Sequence, residues 1–178
     1  MNDLINYIIL GIIQGLTEFF PVSSSGHLVL FQDYLEITNE GASAEIIAHF
    51  GTLFSILLFY KSSFFASAKK DDFFNINNIK LLGVSTIPAV IFGFIFDFEQ
   101  FFNYSFVQYS LMANGLIIIL FSLLKNSFSI ELNLKSALIL GFFQSVAILP
   151  GISRSGLVIS SALMLGLDKE KSIKYCFF

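Results

Sequence analysis

Two short stretches of this chain gather side chains that move protons and hold anions. Pro21-Val22-Ser23-Ser24-Ser25-Gly26-His27 offers three hydroxyls, a glycine and an imidazole in consecutive positions. A hydroxyl becomes an adequate nucleophile when a base removes its proton, and histidine is the side chain tuned for that near neutral pH. Pro150-Gly151-Ile152-Ser153-Arg154-Ser155-Gly156 offers a fork of guanidinium donors flanked by hydroxyls and by backbone amides that Gly151 and Gly156 free. Its charge and bidentate geometry suit a phosphate. Arg154 is the only arginine and the only base inside an apolar region, and Glu18 is the only carboxylate so placed. A buried charge is costly and by default pairs or serves function. A Glu18–Arg154 ion pair that only ties the stretches together is the plainer alternative, but it does not require the small polar residues around both. Taken singly, the other residues also have plain readings. A serine run with glycine marks turns, His27 reads as a packed side chain, and His49 as a packed residue or one at a cavity edge. Gln14 and Gln144 read as helix-bridging amides.

The elements that must position these residues follow from composition. Of 178 residues 55% are apolar and 13% charged, with mean hydropathy +0.77 and 23 phenylalanines. A soluble domain carries roughly 25% charged residues, so this chain cannot build a water-facing surface and reads as a membrane protein. At about 20 residues per span there is room for roughly five or six membrane elements and no soluble domain beside them. The single cysteine, Cys176, excludes an intramolecular disulfide framework and a cysteine-rich zinc site. A net charge of −3 with pI near 5.3 argues against nucleic acid as a partner. Met1 to Tyr7 has no basic region, so no removable signal peptide is expected.

Transmembrane helices are expected at about 46–60, 81–96 and 104–124, with Pro88 kinking the second. The connectors alternate in sign. Asp33, Glu36, Glu40 and Glu45 have no base among them; Lys61, Lys69, Lys70 and Lys80 then outnumber Asp71 and Asp72; Asp97 and Glu99 follow, and then Lys125 and Lys135. By the positive-inside rule these connectors lie outside, inside, outside and inside.

Two regions, 4–31 and 136–167, are too polar for a lipid-facing helix and read as helix, break, helix. At one constant offset Gly11 matches Gly141, Gln14 matches Gln144, and Ser23, Ser25 and Gly26 match Ser153, Ser155 and Gly156. An internal repeat is therefore expected. The first region is bounded by acids and the second by Lys135 and by the Asp168–Lys174 cluster, so the two read as re-entrant hairpins inserted from opposite faces. Inverted repeats of broken helices place binding sites where the breaks meet. The expected architecture is all-α: one polytopic membrane domain over 1–178, with an inverted-topology repeat, two re-entrant hairpins and a last, incomplete helix at 168–178.

Gln14-Gly15-Leu16-Thr17-Glu18-Phe19-Phe20-Pro21-Val22-Ser23-Ser24-Ser25-Gly26-His27 and the Pro150–Gly156 element resemble the two signature motifs of bacterial undecaprenyl-diphosphate phosphatases, also called bacitracin resistance proteins. Ala48-His49-Phe50-Gly51-Thr52 adds to the likeness, which runs over nearly the whole chain. The resemblance implies a hydrolase of the bacterial plasma membrane that converts the lipid diphosphate released in cell-wall synthesis to the monophosphate carrier and inorganic phosphate. Its site would open toward the periplasm. By motif position Ser24 would be the nucleophile and His27 the general acid/base, with His27 as the group that bonds to phosphorus left open; Glu18 would be a catalytic carboxylate or metal contact, and Arg154 the phosphate clamp. Gln14, Ser23, Ser25, Gly26, Gly151, Ser153, Ser155 and Gly156 would bind substrate. The family also implies Mg²⁺ or Ca²⁺, for which Glu18 with Gln14 is a thin set of oxygen ligands.

The expected partners are a polyprenyl diphosphate and the bilayer, with a homo-oligomer left open. A polyprenyl-phosphate carrier is the rival reading, because inverted repeats and a midplane anion site suit it equally. The family's proteins are longer, and the resemblance implies that a further membrane helix begins at Cys176-Phe177-Phe178. An inactive truncated fragment is therefore the third reading.

Overall fold

The computed structural model describes residues 3–37, 43–67, 76–124 and 131–177. Within them the chain is all-helical, with eight α-helices. These are α1 (Asp3–Thr17), α2 (Ser24–Tyr34), α3 (Ser43–Ser67), α4 (Ile76–Ile95), α5 (Tyr104–Leu123), α6 (Leu134–Val146), α7 (Arg154–Leu165) and α8 (Lys169–Phe177), with a 3₁₀ turn at Glu99–Phe101 between α4 and α5. Of the charges that set the expected connector signs, Glu40, Lys69, Lys70, Asp71, Asp72 and Lys125 lie outside the described residues.

Burial is inverted relative to a water-soluble fold. Asn6, Gln14, Gln32, Ser85, Ser110, Asn114, Ser145 and Ser161 are buried, while Phe94, Met112, Leu116 and Leu123 are exposed. Large apolar side chains turned outward with amides and hydroxyls turned inward suit a hydrocarbon solvent, because there only the interior can satisfy polar groups. Two described helices, α4 and α5, are long and apolar enough to cross a bilayer. The expected span at 46–60 falls within α3, whose described apolar part, Ser43–Leu58, is shorter than a span. Pro88 sits inside α4, which continues through it.

Both polar regions are broken helices. The first is α1, a break at 18–23, and α2; the second is α6, a break at 147–153, and α7. Each second helix starts on a serine cap that closes the same loop. Ser23 Oγ accepts from Gly26 N at 3.3 Å and Ser153 Oγ accepts from Gly156 N at 3.1 Å. Each cap also lies beside the next serine but one, Ser23–Ser25 at 3.3 Å and Ser153–Ser155 at 3.2 Å. Asn133 starts α6 with a capping box, accepting from Lys135 N and Ser136 N while Ser136 Oγ accepts from Asn133 N. α4 packs most extensively on α6, α5 on α7, and α2 touches α5. Gly141 lets α6 pack closely on α4, since a Cβ there would collide with the Ser85 carbonyl oxygen. The apolar core is Leu140, Val158, Ala162, Leu167 and Tyr175, shared by α6, α7 and α8.

Candidate active site

The two breaks touch. A Cβ on Gly26 would lie 2.8 Å from Gly151 Cα, so their backbones approach at a distance only glycine permits. Gly151 has φ +91 and Ser23 φ +64, both in the left-handed region. For a serine that conformation costs on the order of 1 kcal/mol or more and persists only where the surroundings hold it. Asn114 of α5 is one such holder. Its Oδ1 accepts from Ser153 N at 3.0 Å and its Nδ2 donates to the Pro21 carbonyl at 3.5 Å, so one buried amide clips both breaks. Ser110 donates to the Pro150 carbonyl and Ser155 to the Phe20 carbonyl.

Glu18 stands at the junction, one residue past the end of α1. Its Oε2 accepts from Ser24 Oγ at 2.6 Å and from Gln14 Nε2 at 2.9 Å, and lies 3.4 Å from His49 Nε2. Its Oε1 lies 3.6 Å from Arg154. A carboxylate at a helix C-terminus faces the negative end of the peptide dipole, so these donors and cations offset an otherwise unfavourable placement. The Arg154 side chain is 58% exposed against 12% for Glu18. The guanidinium therefore reaches into open space with only one loose contact to the carboxylate.

That space is a cavity of about 180 Å³ lined by Glu18, Ser23, Ser24, Ser25, Ser153, Arg154 and Ser155, among others. The first turns of α2 and α7 border it. Helix geometry leaves the amides of Ser24, Ser25, Arg154 and Ser155 without intrahelical acceptors, and two helix N-termini add positive potential. A second cavity of about 450 Å³ shares Glu18, Ser25, His49 and Arg154 and continues along apolar Ile46, Phe50, Leu53, Ile56, Phe102 and Ile148. The arrangement offers a hydroxyl hydrogen-bonded to a carboxylate, a guanidinium and amides for an anion, and an apolar wall beside them.

Of the residues the sequence singled out, Gln14, Glu18, Ser24 and Arg154 converge through direct contacts, and Ser23, Ser25, Ser153 and Ser155 line the cavity. Gly26, Gly151 and Gly156 serve approach, since a Cβ on Gly156 would lie 2.6 Å from Ile118 and 3.1 Å from Pro21. His27 does not join Ser24. Its Nδ1 lies 2.8 Å from the Ser23 carbonyl, inside its own helix. The sequence reading missed the helix-clipping role of Asn114, an amide inside the longest charge-free run. It left His49, which reaches Glu18, as a packed or cavity-edge residue, and gave Thr52, 3.5 Å from Gln14 Nε2, no role.

The donors around Glu18 do not suit a divalent cation. Among the described residues no three His, Cys, Asp or Glu side chains converge as a metal cage. Both oxygens of Glu18 already face Gln14, Ser24, His49 and Arg154, a cation among them. The residues present do not fit a protein-held Mg²⁺ or Ca²⁺.

A family model described as bacitracin resistance protein BacA matches residues 7–178. Among curated relatives, undecaprenyl-diphosphatase 1 of Bacillus licheniformis is 41% identical over 192 residues, covering 98% of this chain and 70% of the relative. Undecaprenyl-diphosphatases of Thermosipho africanus and Methanococcus maripaludis strain C6 are 38% and 42% identical, with 72% and 71% of their lengths covered.

Proposed function

The chain belongs to the bacitracin resistance protein BacA family, and from that premise we propose that it is a membrane phosphatase converting undecaprenyl diphosphate to undecaprenyl phosphate and inorganic phosphate. The observation that carries the site assignment is the 2.6 Å hydrogen bond from Ser24 Oγ to Glu18 Oε2, with Arg154 at the far side of the same carboxylate.

Arg154 and the first-turn amides of α2 and α7 hold the terminal phosphate, whose charge they match in sign and in number of donors. Ser24 Oγ attacks phosphorus as its proton passes to Glu18 Oε2. The bridging P–O bond breaks, and its electron pair leaves with the polyprenyl phosphate. Water then attacks the phosphoserine, phosphate departs, and Ser24 Oγ recovers a proton. Substrate enters with its isoprenoid chain along the apolar wall of the larger cavity. The breaks form two re-entrant hairpins of an inverted repeat, and the site opens to the outer face. Asp33, Glu36 and Glu45 beside the first hairpin and Lys135 beside the second support that orientation by the positive-inside rule.

The rival is a carrier that binds the lipid phosphate without cutting it. Purified chain in detergent, supplied with a C55 polyprenyl diphosphate, is expected to release inorganic phosphate with turnover. Binding of the lipid without any release would replace the phosphatase by the carrier.

A further inference from the structure

Arg154 faces two anions in turn. Without substrate its guanidinium lies 3.6 Å from Glu18 Oε1, a long contact made by a side chain that is more than half exposed. A diphosphate in the adjoining cavity carries more negative charge than one carboxylate and offers the planar oxygen pairs a guanidinium fork prefers. When Arg154 turns to the substrate, Glu18 loses a counter-charge at the moment it must keep one oxygen on the Ser24 proton. It also then faces a second anion.

His49 reaches Glu18 from α3. Its Nε2 lies 3.4 Å from Glu18 Oε2, the same oxygen that accepts from Ser24. Its Nδ1 lies 2.7 Å from the Glu45 carbonyl one turn back in α3, which anchors the ring. Gln14 Nε2 supplies a second, neutral donor to Oε2. Both cavities are lined by His49. His27 Nδ1 lies against the Ser23 carbonyl at the start of α2.

We infer that His49 is a positioning residue for Glu18. It holds Oε2 on the Ser24 hydroxyl while Arg154 is engaged by phosphate. The inference rests on the phosphatase reading. It places His49 against Glu18 at the edge of both cavities, so its loss must appear chiefly in turnover.

The test compares His49→Ala, His49→Gln and the unaltered chain in detergent. It measures kcat and KM for phosphate release from a C55 polyprenyl diphosphate, and the melting temperature of each. A misplaced catalytic group costs on the order of 10-fold to 100-fold. The expected result is a kcat loss of that size in His49→Ala, with KM within about two-fold of the unaltered chain on that same positioning argument. His49→Gln, whose amide still donates toward Glu18, is expected to restore most of the turnover. Unchanged kcat in His49→Ala would overturn the inference. So would a rise in KM without loss of kcat, or a loss that Gln fails to restore and that follows melting temperature. No release by the unaltered chain would instead overturn the phosphatase reading, and this inference with it.

Discussion

Glu18 is surrounded by donors because it is held where a carboxylate is least welcome, at the C-terminal end of α1. Ser24, Gln14, His49 and Arg154 each offset part of that cost. In the proposed mechanism the same neighbours hold it as the base beside the Ser24 hydroxyl. The other nucleophile-bearing side chain at the site is Cys176, which lines the smaller cavity. The proposed mechanism gives that thiol no role, because the hydroxyl of Ser24 already hydrogen-bonds Glu18. Phosphate release should survive brief iodoacetamide treatment, and rapid inactivation would contradict the assignment to serine. At this scale residue type and uniqueness were readable in the chain: the lone arginine and the lone membrane carboxylate do meet. The partner of Ser24 was not readable. His27 is three positions from Ser24, yet a helical side chain at that spacing turns to the carbonyl four residues back, whereas His49 reaches Glu18 from another helix.

At the scale of elements the functional device is a pair of helix breaks pressed together. Gly26 is where they press, and its missing Cβ is the space occupied by Gly151. Gly26→Ala is expected to wedge the breaks apart at a cost of about 1–3 kcal/mol, the usual penalty for overpacking. It should lower both melting temperature and phosphate release, and a fully active, unshifted variant would contradict the contact. A second element-level prediction concerns α8. Asp168 accepts from Lys171 N at 2.9 Å and so caps this helix beside the core. That amide, opposed by slight burial, holds the Asp168 carboxyl below its ordinary range, with Lys171 also lowering it. A depressed folded pKa gives stability that is present above the unfolded value and is lost as pH falls through the folded one. Asp168→Ala is thus expected to lower the melting temperature at pH 7, by about 0.5–1 kcal/mol for an exposed cap. The difference from the unaltered chain should shrink at pH 3. The breaks and their shared serine pattern were legible because polar and glycine residues interrupt apolar runs in the same order twice. What clips them was not, since Asn114 lies far along the chain in a helix that otherwise reads as lipid-facing.

The whole molecule is built inside out, with serines and amides in the interior and phenylalanine and leucine on the perimeter. Composition alone announced this, because 13% charged residues cannot cover a surface in water. A hydrocarbon solvent raises the worth of every interior polar contact, which is why so many small hydroxyls cap, clip and line the junction. It also lets a lipid diphosphate approach with its chain in the bilayer and its phosphates in the cavity. The account's central claim is that two breaks form one phosphatase site, Ser24 from the first and Arg154 from the second. The measurement that tests it most directly is phosphate release from a C55 polyprenyl diphosphate by Ser24→Ala and Arg154→Ala beside the unaltered chain, with folding confirmed by melting temperature. The account predicts that Ser24→Ala abolishes release. It predicts that Arg154→Ala loses about 3–4 kcal/mol of transition-state stabilisation, the size of an electrostatic clamp. Near-normal turnover in either folded variant would contradict it.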